Sequence, residues 1–499
     1  MAPIDSRAFL NVDKDAPTWK HSDEVIIDRN EAGQNIVRAM TWYELEYKDY
    51  ILKFTLSVFG SQPDAGFALY IGLHGGGQAK DYENNDDWHY WSTYHASSIQ
   101  SRVERKPEMN DNEVKNSVQL GAVYVALRFA NKTGTGKYDG NTWDTHFTPP
   151  AQVLMEKLVM RMLLKTPFTS EDASKNPSYT PSSKATSFVD SNQIYLLGFS
   201  AGGDAVYRLS TNLADRFAAA HMSAGHPGDV QFDNLANTPI CLQVGDEDSE
   251  YDRNTYTVDS AFTLDALALR HSGYYAHDCY VHVTTPKANE RAHNSWSAVE
   301  SGLTRGPILT DLHTWRLDPE RGQLSQRTMN TNAIDWVSQH VRNPLPRKVV
   351  WNLRTRPARD TEVDANWPSK RLFYWLYLHK DTDWSTTFEA TFDAASNSFF
   401  LNRTDAPAEL GFLLSEAMVD FSRDVTVYLR GDGKKRQLFG TYKVGVNEEI
   451  KKQTLDARGD DKLVYAAAIR FKKKTQKQAD GTTREWVDEA EVADTLFTD

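Results

Sequence analysis

The chain has 499 residues, too many for one ordinary core, and at 40% hydrophobic and 25% charged it has the composition of a folded globular protein. Its formal net charge of -12 argues against nucleic acid and anionic membrane as main partners, because both repel a net negative surface. No apolar run approaches the roughly 18 residues of a membrane span, and Met1 to Arg7 carries no charged-then-apolar leader, so a cytoplasmic location is expected.

In chain order, Ile36 to Tyr43 and Tyr50 to Leu56 read as opening strands. Phe67 to Leu73 is an apolar strand run that ends in His74-Gly75-Gly76-Gly77. Three glycines directly after a strand let backbone N–H groups turn inward, as an oxyanion hole needs, and Gly76 and Gly77 are the candidate donors. The aromatic and polar stretch 81–91, with Trp88, either lines a cleft or packs a helix on the sheet. Gly121 to Leu127 is a further buried strand, and Trp143 lies in a candidate pocket loop at 141–147. Leu154, Met155, Leu158, Val159 and Met162 recur at helical spacing, as core and not as a cofactor box. Residues 166–187 shift to Ser, Thr, Pro, Asn and Lys, the composition of a mobile surface insertion.

The run Ile194 to Leu197 leads into Gly198-Phe199-Ser200-Ala201-Gly202-Gly203, and a helical pattern follows from Asp204. A Gly-x-Ser-x-Gly between a strand and a helix is a nucleophile elbow: the turn is so crowded that the positions two before and two after the serine must lack side chains. Phe217 to Ser223 is a small-residue strand leading to Ala224-Gly225-His226-Pro227-Gly228. Pro239 to Val244 is another, ending in Gly245-Asp246-Glu247-Asp248. A helix through Ala261 to Ala268, a strand through Cys279 to Val283 and a loop holding Arg291 to Trp296 follow. Cys241 and Cys279 each lie beside a core strand and read as buried reduced thiols in preference to a disulfide.

Strands alternating with helices imply a mostly parallel sheet covered on both faces, here expected over residues 1–345. After a helix near Asn332 to Val337, Arg342 to Arg347 reads as a linker. Residues 346–499 then read as an all-β, sandwich-like domain. Its strands are expected at Val349 to Trp351, Leu372 to Tyr377, Phe399 to Leu401, Val425 to Leu429 and Leu463 to Tyr465, with a turn at Gly431-Asp432-Gly433. Lys472-Lys473-Lys474 reads as a solvated turn.

A serine hydroxyl needs a base to take its proton and an acid to orient that base. Starting from Ser200, the order serine, acid, histidine places the acid in the 245–252 loop. Asp248 is chosen because the chain has turned off the strand there; Asp246 and Asp252 are its rivals. Among the downstream histidines 271, 277, 282, 293 and 313, His282 falls inside a strand and His271 at a helix end. His293, in the loop after the last strand, is the natural base. Ala201 N–H joins Gly76 or Gly77 as the oxyanion donor, and His74 and His226 are weaker candidates for contact with a substrate. These parts require no metal or cofactor, and the acidic loop matches no calcium-loop spacing.

His74-Gly75-Gly76-Gly77, Gly198 to Asp204 and Gly245 to Asp248 together resemble the α/β-hydrolase superfamily, most of all its bacterial-type esterases related to polyhydroxybutyrate depolymerases and feruloyl esterases. Similarity extends through Ala214 to Ala220, Ala224 to Pro227, Asn343 to Pro346, Val349 to Trp351 and Leu414 to Asp420. It departs at His293, where such enzymes tend to show Gly-His-x-Trp and this chain has Ala292-His293-Asn294-Ser295-Trp296. The resemblance implies an α/β-hydrolase fold with an added C-terminal β domain. It also implies a serine carboxylic-ester hydrolase acting on a small-molecule or polymeric ester. The same residue set also serves a peptidase or amidase, and with broken geometry the chain would be a silent binding protein.

Overall fold

The computed structural model describes residues 23–29, 35–47, 50–75, 98–100, 102–103, 121–132, 138–139, 149–165, 167, 182–282, 293, 307–309, 326–328, 333–353, 370–380, 386–403, 406–430, 436–478 and 483–497. Two compact units divide after Arg342, inside the segment read as the linker.

In the first unit, twelve strands among the described residues join one sheet. They are β1 (Asp23–Arg29), β2 (Asn35–Tyr47), β3 (Tyr50–Gly60), β4 (Phe67–Leu73), β5 (Gly121–Lys132), β6 (Tyr138–Asp139), β7 (Val189–Phe199), β8 (Ala219–Ser223), β9 (Ile240–Gly245), β10 (His277–His282), β11 (Pro307–Leu309) and β12 (Gln326–Thr328). The order is β1-β2-β3-β5-β4-β7-β8-β9-β10-β11-β12, with β6 on β5. The run β5-β4-β7-β8-β9-β10 is parallel. Antiparallel strands flank it on both sides.

Strands β4, β8 and β9 are buried along their whole length, which is why β4 and β9 read as continuous apolar runs and not as alternating ones. Helices α1 (Pro149–Met162), α2 (Ala201–Asn212), α3 (Arg253–Arg270) and the short α4 (Ala333–Val337) belong to this unit. One core layer packs Tyr70, Tyr124 and Tyr195 with Ile334, Trp336 and Val337 of α4. Trp336 Nε1 donates to Asp278 Oδ2 at 2.7 Å, and Tyr195 Oη donates to His340 O at 2.9 Å, so α4 is tied to the sheet by polar as well as apolar contacts.

The sequence reading passed over β1, whose polar ends hide a strand paired in full register with β2. Most of 166–187 lies outside the described residues, but its described end is docked. Gln62 Oε1 accepts from Ser182 N–H, Gln62 Nε2 donates to Ser187 O and Phe188 O, and Ala185 is buried.

Both cysteines are free thiols. Cys241 pairs across β9 and β10 with Asp278, and Cys279 pairs with Leu242, so strand alternation points the two sulfurs to opposite faces of the sheet. Cys241 packs in the layer of α4, and Cys279 against Val244 and Val258 on the side of α3.

Among the described residues the second unit has two five-stranded sheets. Its strands are β13 (Lys348–Asn352), β14 (Leu372–Phe373), β15 (Leu376–Leu378), β16 (Thr387–Asp393), β17 (Ser398–Leu401), β18 (Leu410–Leu414), β19 (Val425–Arg430), β20 (Arg436–Tyr442), β21 (Ala467–Lys477) and β22 (Thr483–Val492). The orders are β13-β16-β17-β19-β20 and β14-β15-β18-β21-β22. Aromatic rings bridge the two layers: Trp375 and Phe399 at 5.5 Å, Phe399 and Phe412 at 5.2 Å, Phe439 and Phe471 at 5.0 Å. The alternation of Val425, Val427 and Leu429 with less buried neighbours follows from this packing.

Several local expectations are corrected. Leu372 to Tyr377 is not one strand: the chain reverses at Tyr374 (φ 50°), and Trp375 folds into the core with Nε1 donating to Pro346 O at 2.7 Å. Leu463 to Tyr465 is not a strand either. The Asp460 carboxylate accepts from Lys462 N–H and starts a short 3-10 turn, and Leu463 and Tyr465 are apolar because they are buried. Lys472 to Lys474 lies within β21, not in a turn; Lys472 pairs with Glu491, and Lys474 with Asp488 and Glu489 on β22. The unit is also not all-β, since it holds α5 (Glu448–Arg458), capped by the Asn447 side chain and ended by left-handed Gly459. Gly431 to Gly433 lies outside the described residues.

Candidate functional site

Ser200 stands between the end of β7 and the start of α2 with φ 56° and ψ -122°, a backbone that L-residues rarely adopt and that costs on the order of 1 kcal/mol or more. What holds it there is close backbone packing. Ser200 N–H donates to Ser223 O at 2.9 Å, stitching the turn to β8. A Cβ on Gly198 would stand 2.2 Å from Gly202 O, and one on Gly202 would stand 2.1 Å from Leu73 O, so side chains at these positions are sterically impossible without movement. The glycines of the motif are therefore a packing requirement.

Three side chains converge at the carboxyl ends of the parallel strands. His293 Nε2 lies 2.9 Å from Ser200 Oγ, and His293 Nδ1 lies 2.7 Å from Asp248 Oδ2. An ionised carboxylate only accepts, so Nδ1 carries the proton and donates to Asp248, which leaves Nε2 to accept from the Ser200 hydroxyl. The imidazole is held flat by Phe199, whose ring stacks on it at 4.9 Å and 27°. Asp248 is 1% exposed, and Ser200 7%.

His293 Nδ1 bonds to Asp248 among the three aspartates of the loop. Asp246 N–H donates to His282 O, and its carbonyl accepts from Asn254 Nδ2, which fixes the backbone of the loop. Asp252, left-handed at φ 54°, occupies the position before α3. His282 is buried in β10 with Nε2 donating to Gln243 Oε1, His271 caps the end of α3, and His277 bonds Tyr275 O and Asp265, each in a structural role. His313 lies outside the described residues.

Of the candidate oxyanion donors, Ala201 opens α2 directly behind Ser200. Gly76 and Gly77 lie outside the described residues. The loop that carries them starts beside the serine, since a Cβ on Gly75 would stand 3.4 Å from Ser200 Cβ. His74 is buried, and its Nδ1–H donates to Gly75 O at 2.6 Å. Trp88 and Trp143 lie outside the described residues.

His226 is half-buried: its ring meets Tyr256 edge-on at 4.5 Å, and its Nδ1 accepts from Gly228 N–H at 2.9 Å. Burial, then the charges of Arg253 and Arg208, hold its pKa below the usual histidine value.

The sequence shows Phe199 and Asp204 only as letters of the Gly198 to Asp204 motif, with no role, and does not single out Arg253. Asp204 sits in the first turn of α2 and accepts from His226 N–H. Burial raises its pKa to about 6, against the opposing pull of that N–H, Arg253 and Arg208. Arg253 is buried at the start of α3, with Nη1 3.5 Å from Asp248 Oδ1. Nothing in the spacing of the motifs marks either residue, because each acts through neighbours remote in sequence. Among the described residues no cluster of His, Cys, Asp or Glu is arranged to hold a metal ion.

No family model matches the chain, and no curated protein matches it. Among solved structures it is similar to a thermostable esterase, at 17% identity and a TM-score of 0.35 over 64% of this chain and 70% of that one. It is also similar to a siderophore hydrolase from Aspergillus nidulans, at 12% identity and a TM-score of 0.28 over 56% of this chain and 91% of that one. A third is the Bacillus cereus carboxylesterase, at 12% identity and a TM-score of 0.24 over 49% and 91%. With every one of these TM-scores below 0.5, the chemistry stands on the geometry of Ser200, His293 and Asp248 alone.

Proposed function

We propose that the protein is a serine hydrolase that cleaves carboxylic esters through an acyl-enzyme intermediate. The observation that carries this reading is the hydrogen-bonded row from Ser200 Oγ through His293 to Asp248, anchored on a strained strand-to-helix turn.

In this reaction Ser200 Oγ attacks the ester carbonyl carbon as His293 Nε2 takes the hydroxyl proton. Asp248 holds the imidazole in the Nδ1–H tautomer and stabilises the imidazolium that forms. The carbonyl oxygen becomes an oxyanion, which the N–H of Ala201 and one from Gly76 or Gly77 stabilise; losing one such donor costs about 3 kcal/mol. Collapse of the tetrahedral intermediate expels the alcohol, which leaves with the proton from His293. Water, deprotonated by His293, then attacks the acyl-serine, and the carboxylic acid and free Ser200 are restored. Nucleophile, base and acid are all side chains, so the cycle calls for no cofactor; the proposed substrate is a small-molecule or polymeric ester.

A fluorophosphonate probe tests this directly. It is expected to label the protein at Ser200, and Ser200→Ala is expected to abolish both labelling and hydrolysis of short-chain p-nitrophenyl esters. Full hydrolysis by the Ser200→Ala protein would sink the reading.

A further inference from the structure

The loop that delivers the acid, from Gly245 to Arg253, is conformationally expensive. Tyr251 (φ 57°) and Asp252 (φ 54°) are consecutive non-glycine residues in the left-handed region, each costing about 1 kcal/mol or more. Such a turn persists only where its surroundings over-determine it. Backbone bonds do part of this: Asp248 N–H donates to Gly245 O, Asp252 N–H to Ser249 O, and Asn254 N–H to Asp248 O. These fix the main chain of residue 248 and leave the direction of its carboxylate to other contacts.

The guanidinium of Arg253 supplies them. Its Nη1 donates to Glu250 O at 3.2 Å, its Cζ lies 4.9 Å from the centre of the Tyr251 ring, and the same Nη1 stands 3.5 Å from Asp248 Oδ1. One planar cation thus faces three residues of the loop it follows. The two oxygens of Asp248 are divided: Oδ2 takes the proton of His293, and Oδ1 accepts no hydrogen bond among the described residues. Arg253 is the positive charge set against that second oxygen. Both side chains are almost wholly withdrawn from water, 5% and 1% exposed, so their attraction is weakly screened and neither charge has bulk solvent as an alternative.

We propose that Arg253 is a positioning residue of the reaction: by facing Asp248 Oδ1 while gripping the Glu250–Tyr251 turn, it holds the carboxylate with Oδ2 directed at His293. The inference rests on the serine-hydrolase reading of the site, but it concerns a contact that exists whether or not an ester is turned over.

The test uses the full chain with Arg253→Gln, Arg253→Lys and Asp248→Asn, and with the double variant Asp248→Asn/Arg253→Gln. Two readouts are taken. The first is the far-downfield proton resonance of the His293 Nδ1–H···Asp248 hydrogen bond, identified by its disappearance in Asp248→Asn and independent of catalysis. The second is kcat and KM on p-nitrophenyl acetate.

Arg253→Gln is expected to weaken or abolish the resonance and to lower kcat by roughly 100-fold, the loss typical of a misplaced catalytic group, with KM changed less than about twofold. In the Asp248→Asn background the same substitution is expected to cost under about twofold, because its effect passes through the carboxylate. Arg253→Lys, which keeps the charge, is expected to retain the resonance and lose no more than about fivefold in kcat.

An unchanged resonance and kcat in Arg253→Gln overturns the proposal. So does an equal loss in the Asp248→Asn background, or a lysine variant as impaired as the glutamine one. Should Arg253→Gln fail to fold by circular dichroism, Arg253→Met fills the same space without charge and carries the same expectations. A wild-type protein that hydrolyses no ester, yet loses the resonance on Arg253→Gln, would remove the proposed function and leave this inference standing. The reverse result would remove this inference alone.

Discussion

Gly202→Ala tests whether close backbone packing holds the elbow. A Cβ at 202 would meet Leu73 O at 2.1 Å, Leu73 C at 2.6 Å and His74 O at 2.7 Å. All three are backbone atoms where β4 ends inside the parallel sheet, so no side-chain rotation relieves them. Reaching an ordinary contact of 3.4 Å requires relative movement of roughly 1 Å between β4 and the start of α2. Overpacking of this kind costs about 1–3 kcal/mol. Against it stands the gain in helix propensity on replacing glycine by alanine, about 1 kcal/mol. The clash is expected to win, because this glycine lies in the first turn of α2, beside the backbone it must clear.

The movement also carries Ser200, two residues away, and a misplacement of about 1 Å at a reacting group costs about 100-fold in rate. Urea unfolding is expected to show the loss of stability, and the rate of fluorophosphonate labelling the loss of reactivity. Gly445→Ala serves as the control, since a Cβ there meets nothing within 4 Å. A Gly202→Ala protein as stable as wild type and labelled at the same rate would refute the packing argument.

The buried carboxyl of Asp204 gives a pH signature. Its pKa is raised from 3.8 to about 6, so the stability it contributes is complete below the unfolded value and is lost as pH rises through about 6. Asp204→Asn keeps an oxygen for His226 N–H and never ionises. Its stability relative to wild type is therefore expected to increase by roughly 2 kcal/mol between pH 4 and pH 7, read from urea melts at both values; a constant difference would contradict the assignment. The cysteines give a simpler check. Desolvation pushes the half-buried Cys279 up to about 12 and the buried Cys241 well above its usual value, so at pH 8 Ellman's reagent is expected to react slowly with the native protein and to find two thiols after unfolding. Rapid reaction of the native protein would contradict the placement of both side chains.

What the sequence by itself determined is local. Phe67 to Leu73 and Ile194 to Leu197 read as buried strands because parallel strands covered on both faces need apolar side chains throughout. The elbow was legible because its glycines answer to clashes within a few residues of Ser200 and with one neighbouring strand. Asp248 and His293 could be named from order along the chain, but two further aspartates lie within four residues of Asp248. Only the fold of the 245–253 loop, with its two left-handed residues, shows which one meets the histidine.

The readings that failed did so where apolar content has more than one cause. Leu372 to Tyr377 and Leu463 to Tyr465 are hydrophobic because they are buried, and burial is satisfied by a tight turn or a 3-10 segment as well as by a strand. The cysteines show the same limit, since their separation onto opposite faces depends on the register of β9 and β10. Phe199 against the imidazole, Asp204 under the His226 loop and Arg253 behind the acid are decided by tertiary structure alone. Each is a contact between one element and the flank of another, and sequence spacing carries no record of which flanks meet.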